Sequence, residues 1–319
     1  MFKASILVRN LEATAGSLDF GEFTIRLVGL RFEELREVFS SVDVNPDDWI
    51  FEKSYTQLPL GPPGSSVGGI PNDVENILLL LRLYKPGDIS FIKQAITLPS
   101  GKTLVQFPYR AMNDVNSYST LRFEAKEEDC ESWKGFADEV RESQSWSSDW
   151  FAVARRFFLS GGAKPFNPKR DDVDRVVDYA TALEATLVPE KDYNTRRISR
   201  RAAALIAPDD PIQADVIVKF IKKLYEIRSR IVHGSGIGDE NRQWFFENGS
   251  QIELRVRQVL VVAVRNLPPA EADRRIALTG LYDPTDDDRG RFALEKFKEI
   301  KTAEVRKSIA GKIADLAGE

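Results

Sequence analysis

This sequence is nearly devoid of soft metal ligands and of thiols. Its 319 residues include one cysteine, Cys130, one histidine, His233, and two methionines. A single cysteine excludes an internal disulfide and suits a reducing compartment. One His and one Cys fall short of the roughly four N or S ligands that a zinc site wants, so no metal is expected. Long apolar runs are missing too. Ile77-Leu-Leu-Leu-Leu81 is the strongest, far below the roughly 18 residues that cross a bilayer. The N-terminus has one early lysine and no long apolar core, so no signal peptide is expected and the cytoplasm is the expected location. The Gly/Pro-rich stretch Pro59–Pro71 lacks the Gly-Lys-Ser/Thr that would follow in a phosphate-binding loop, which excludes a P-loop. Nothing calls for a cofactor.

What remains is ordinary in bulk, with 42% hydrophobic and 29% charged residues and a net charge of −4. The length allows two domains, each with its own core. The charge is uneven: residues 151–267 carry 20 Lys+Arg against 15 Asp+Glu, a balance of +5, which leaves −9 for the rest. A basic module in an acidic chain fits a polyanionic partner, although solvated helix faces give the same count.

The patterning predicts an α+β chain, with a strand-rich mixed N-terminal domain over 1–143, an all-α bundle over 144–268 and a charged helical extension over 269–319. In the first domain, strands are expected at 2–11, 22–30, 49–58, 91–98, 103–109 and 119–124. Residues 16–21 read as a turn and 32–40 as a short helix. Residues 76–84 read slightly better as a buried strand than as a helix, because Lys85-Pro-Gly-Asp88 follows as a turn. An acidic helix is expected over 127–143. Asp43, Asp47 and Asp48 read as turn or cap residues, and Trp49, Phe51, Phe107, Tyr109 and Phe123 as core. No catalytic constellation occurs there, and a protein or ligand trigger is the default role for this domain.

In the second domain, a helix over 149–159 is expected to break at Gly161-Gly162 and at 165–168. Helices follow over 171–187, 193–206, 212–232 and 243–266. Charged helices are expected over 270–319. The helix over 212–232 has apolar residues Ile212, Val216, Ile217, Phe220, Leu224, Ile227 and Ile231. Asp209-Asp210-Pro211 supplies its start and Gly234 its stop. His233 then falls in the last turn, where the helix dipole favours the imidazolium while Arg228 and Arg230 oppose it. Such a group can hold or release a proton near neutrality. On an ideal helix Arg228 and His233 lie about 140° apart around the axis. They converge only if the helix end distorts or a second copy contributes, which suggests a groove between two protomers.

Arg228-Ser229-x-x-x-His233 resembles the R-x4-6-H motif of the HEPN superfamily. Its surroundings are similar to the Apea-like HEPN subgroup: Arg175-Val-Val-Asp178-Tyr-Ala-Thr-Ala-Leu183-Glu184, then Ile198-Ser-Arg-Arg201-Ala202-Ala203, then Leu224-Tyr225-x-x-Arg228-Ser229-x-x-Val232-His233-Gly234. The resemblance covers roughly residues 145–267. It implies a four- or five-helix bundle, commonly dimeric, in a group linked with abortive infection and phage resistance. Many members are metal-independent endoribonucleases; others are inactive modules that bind RNA, a nucleotide or a partner protein.

The candidate catalytic set is therefore Arg228, His233, Ser229 and Glu184. His233 would act as acid or base, and Arg228 would clamp phosphate, because a guanidinium matches phosphate as a fork. Ser229 could orient either one or simply be a small helix residue. Glu184 could hold Arg228 or His233, or belong to a buried structural pair. Arg230, Arg196, Arg197, Arg200 and Arg201 are candidate RNA-backbone contacts, with a solvated basic face as the alternative. Tyr225 reads as packing. The expected partners are RNA and a second copy of the chain, with no membrane.

Overall fold

The chain is described by a computed structural model over residues 1–39, 44–57, 69–87, 89–108, 122–163, 174–189 and 195–282. It divides into two compact units, with the main division at Asp138/Glu139. The α+β class expected from the sequence is the one adopted: an antiparallel sheet followed by a helical region.

In the first unit, β1 (Phe2–Arg9) pairs antiparallel with β5 (Trp49–Tyr55) on one side and β6 (Ser90–Thr97) on the other. The order in the six-stranded sheet is β3-β4-β5-β1-β6-β7, with β3 at Ser17–Asp19, β4 at Thr24–Leu27 and β7 at Thr103–Pro108. Short β2 (Leu11–Ala13) and β8 (Phe123–Ala125) pair in parallel. Strand alternation sends side chains to two faces, and both are covered. On one face Leu7, Ile50 and Ala95 pack with Leu35 of α1 (Phe32–Val38) and with Phe39. The other face is aromatic: Phe23 lies 4.6 Å from Phe51, and Trp133 of α3 (Glu127–Glu142) meets Phe23 edge-on at 5.0 Å. Trp49, Phe51 and Phe123 are core, as expected.

The structure corrects several sequence expectations. Residues 76–84 belong to a helix, α2 (Gly69–Tyr84), not a strand. Ile77, Leu78, Leu79, Leu80 and Leu81 are all at most 1% exposed, so the helix is apolar on every side there and shows no 3.6-residue period. The expected turn over 16–21 contains β3, which pairs with β4 through Leu18 and Ile25. Gly21, at φ +84°, turns the hairpin, and its N–H donates to Asp19 Oδ1 at 2.9 Å. The expectations for Asp43, the Phe107 side chain, Tyr109, 119–121, 165–168, Asp171, Asp172, Tyr193 and the charged helices beyond residue 282 lie outside the described residues.

The second unit holds α4 (Asp149–Ala163), α5 (Asp174–Leu187), α6 (Thr195–Ile206), α7 (Pro211–Val232), α8 (Asp239–Asn266) and α9 (Glu271–Leu281). Gly161-Gly162 does not break α4 as expected. A Cβ on Gly161 would stand 2.8 Å from the Tyr179 ring, so the glycine there serves close packing against α5. Helix α8 starts earlier than expected, at Asp239. The predicted apolar stripe of α7 fails at Ile212 and Val216, which are exposed, and holds at Ile217, Leu224 and Ile227, which are buried together with Ala214, Val218 and Ile221.

Polar links close this unit on itself. Ser145 Oγ donates to the Leu267 carbonyl, Trp150 Nε1 donates to the Pro268 carbonyl at 3.2 Å, and Arg265 pairs with Glu139 at 2.6 Å. The start of the unit is therefore bonded to the end of α8. No helix among the described residues is long and apolar enough to cross a membrane.

Candidate active site

Helix α7 carries the candidate site at its C-terminal end. Its start is fixed by Asp210, whose Oδ1 accepts from the N–H groups of Ile212 at 3.0 Å and Gln213 at 2.9 Å, with Pro211 in the first turn. Its stop is a Schellman motif. His233 is the C-cap residue, Gly234 adopts φ +66°, the Gly234 N–H reaches the Ile231 carbonyl at 3.1 Å, and the Ser235 N–H reaches the Arg230 carbonyl at 2.9 Å. Gly236 and Gly238 also lie in the left-handed region, and Ile237 between them is buried. The loop is thus pinned by one apolar residue between glycines that alone turn this way cheaply.

The expected position of His233 at the helix end is met, and its side chain is exposed. Ser229 and Arg230 are exposed as well. Arg230 lies 3.7 Å from Glu226, and Glu226 also holds Lys223 at 3.2 Å, a solvated network worth about 0–1 kcal/mol per pair.

Arg228 leans the other way, towards α5. Its Nη2 lies 3.5 Å from Glu184 Oε1, with side-chain exposures of 30% and 9%. Burial raises the Glu184 carboxyl above its ordinary range, and the Arg228 guanidinium partly offsets this. One side of the arginine is thus anchored to a buried carboxylate while part of the group still faces solvent. Tyr225, one turn earlier, is buried and donates its hydroxyl to the Ala180 carbonyl at 2.8 Å, tying α7 to α5 just before Glu184. Tyr225 does pack as expected; the hydrogen bond is a further role that its sequence position does not announce.

The structure thus joins Arg228 to Glu184. Among the described residues no side-chain hydrogen bond or ion pair joins His233 to Arg228, Ser229 or Glu184. Because α7 stays helical up to Val232, the angular separation read from the sequence persists within one chain.

The basic helix α6 needs correction. Arg196 and Arg197 are half-buried, but Arg200 is 6% and Arg201 1% exposed. Arg201 Nη1 donates to the Leu187 carbonyl at 2.7 Å, and Arg200 lies over the Tyr282 ring, 5.6 Å from its centroid. A guanidinium from another helix satisfies a carbonyl at the end of α5. Arg274 of α9 does the same for Ala185, at 2.7 Å, while stacked 5.0 Å from the Trp150 centroid. Arg200 and Arg201 are therefore interior braces and not surface contacts for a polyanion.

A second polar cluster lies between α5 and α8, where the buried Tyr179 hydroxyl donates to the buried Glu253 at 2.9 Å. Burial lowers the Arg257 guanidinium below its ordinary range, and Glu253 opposes the shift. The Glu253/Arg257 spacing of four residues is readable as a helical pair, but its burial is not. Among the described residues no group of three or more His, Cys, Asp or Glu is placed to hold a metal ion.

No protein family, curated protein or solved structure matches the chain.

Proposed function

We propose that the chain is a metal-independent endoribonuclease of HEPN type that acts as a homodimer in the cytoplasm, in phage defence or a toxin-like response. The observation that supports this reading is that one helix end carries an exposed imidazole at its C-cap and, five residues earlier, a partly exposed guanidinium braced by a buried carboxylate. The contact of Arg228 with Glu184 occupies Nη2 only, and 30% of the arginine side chain faces solvent, so donor capacity remains for an anion.

In this reaction a base removes the 2′-hydroxyl proton and the 2′-oxygen forms a bond to the adjacent phosphorus. The P–O5′ bond breaks, and an acid protonates the departing 5′-oxygen. The products are a 2′,3′-cyclic phosphate and a 5′-hydroxyl. His233 moves one proton, and Arg228 stabilises the charge that builds on the phosphorane oxygens. His233 and Arg228 diverge on one helix, so the site is completed by the motif of a second copy; one histidine takes the 2′-hydroxyl proton and the other, protonated, gives its proton to the departing 5′-oxygen. Ser229 and Arg230 are both exposed; Arg230 contacts the RNA backbone, and Ser229 orients His233 or Arg228.

The test is incubation of total RNA with wild type, His233→Ala and Arg228→Ala, followed by end-group analysis. The expected result is cyclic-phosphate ends from wild type, undiminished by EDTA, and none from either variant with the fold retained. Full activity in His233→Ala defeats the reading. Binding of RNA by wild type with no cleavage assigns the chain instead to the inactive, RNA-binding relatives.

A further inference from the structure

The Glu184–Arg228 pair has an asymmetry that bears on how the site takes an anion. Glu184 is 7% exposed, so its carboxylate has little water to turn to, whereas its cationic partner has 30% of its side chain in solvent. Polar groups on each helix packed against α5 have partners of their own, as do Asp178 and Arg175 on α5, which hold the Ser160 hydroxyl and the Gly161 carbonyl. From α7, the Tyr225 hydroxyl is on the Ala180 carbonyl. From α6, Arg201 is on the Leu187 carbonyl, and from α9, Arg274 is on the Ala185 carbonyl. From α8, Glu253 receives the Tyr179 hydroxyl, with Arg257 as its charged neighbour. Among the described residues, the charge that bears on Glu184 is that of Arg228.

We infer that Glu184 is a proton-accepting counter-ion of the Arg228 clamp, so that a phosphodiester binding at Arg228 displaces or shares the guanidinium and Glu184 takes up a proton in exchange. The inference rests on the proposed role of Arg228 as phosphate clamp and adds a regulation to it: the site engages polyanions more tightly as pH falls. The direction holds for either geometry of the bound state. If Arg228 swings away, the buried carboxylate loses its attraction; if it stays, the incoming negative charge adds repulsion. Glu184 is already raised by burial, so either change moves it further in the same direction. Glu184 is a positioning residue in this scheme, since it touches the clamp and not the RNA.

The experiment uses the full chain with His233→Ala as background, which removes both cleavage and the titration of the imidazole. The probe is a short 2′-O-methyl oligoribonucleotide, which cannot be cleaved. Binding is measured by calorimetry in buffers of different ionisation enthalpy, across the mildly acid range, for His233→Ala and for His233→Ala/Glu184→Gln. In the background the expected result is proton uptake on binding, with affinity rising by up to about tenfold per pH unit lowered, the limit for one linked proton. In the double variant uptake disappears, and affinity at neutral pH rises to the low-pH value of the background. Binding in the background without proton uptake, at an affinity that Glu184→Gln leaves unchanged, overturns the inference and spares the clamp. Absence of binding by folded protein at every pH defeats the clamp and the inference together.

Discussion

Replacing Arg201 by methionine separates its role as a brace from the role its sequence suggests. Arg201 is 1% exposed and donates to the Leu187 carbonyl at the end of α5. Methionine keeps much of the apolar stem, so little cavity forms, but the carbonyl loses its donor in a place that water does not reach. Leaving a buried acceptor unsatisfied costs about 1–3 kcal/mol, roughly a 5- to 150-fold change in the unfolding equilibrium. With a urea slope of about 2 kcal/mol/M, the unfolding midpoint falls by about 0.5–1.5 M. The assay is urea unfolding followed by circular dichroism, run beside RNA binding as a function of salt. A residue on an RNA face would shift the salt slope by about 0.7–0.9 for each phosphate it ceases to neutralise, and would leave stability alone. The result that refutes the reasoning is that second pattern: wild-type stability in Arg201→Met with a shallower salt dependence.

Four other perturbations probe the same unit. Tyr179→Phe removes the buried hydroxyl donor from Glu253 and is expected to cost about 1.5–3 kcal/mol, read as a fall in unfolding midpoint with the RNA end groups unchanged. Gly234→Ala puts a side chain at φ +66° with open space around it, so its cost is backbone strain of about 1–2 kcal/mol; hydrogen exchange at Ile231–Ser235 checks it. Arg228→Lys keeps a charge but loses the fork, and is expected to cut cleavage at least about tenfold while retaining RNA binding, measured as kcat against KM. The raised Glu184 carboxyl binds its proton in the folded chain at pH values where the unfolded chain has released it. Its stabilising contribution is therefore fullest below the ordinary carboxylate value and is lost as pH rises through the raised folded value; Glu184→Gln should flatten that part of the stability–pH curve.

How far the fold is readable depends on whether local pattern and environment agree. Strands β1, β4 and β5 lie within their expected stretches because a short apolar run bounded by turn residues reads as a strand even where, as in β1 and β5, burial on both sheet faces leaves little alternation. Helix α2 defeats pattern reading because burial on all sides erases periodicity, and the turn after it closes a strand or a helix equally well. Gly161 looks like a breaker in isolation; only the Tyr179 ring across the helix pair explains it. Ile212 and Val216 look core-bound but are exposed.

The site shows the same division. The place of His233 is legible because a C-cap before a glycine is a local matter. So is the candidacy of Glu184, although its contact with Arg228 depends on how α5 and α7 pack. Arg200 and Arg201 mislead because a guanidinium that caps another helix's carbonyl looks, in one dimension, like a solvated one. The small residues Ala202, Ala203 and Ala204 beside them are the available hint that this stretch of α6 lies in a crowded interior.

The bonds from Ser145 and Trp150 to Leu267 and Pro268, with the Glu139–Arg265 pair beside them, make the first turns of the helical unit and the last turn of α8 each the clamp of the other, so neither frays alone. Amide protons near these two sequence-distant segments should then exchange at one common rate. Cutting one strap, as in Ser145→Ala, should speed exchange at the far end of α8 as much as at its own.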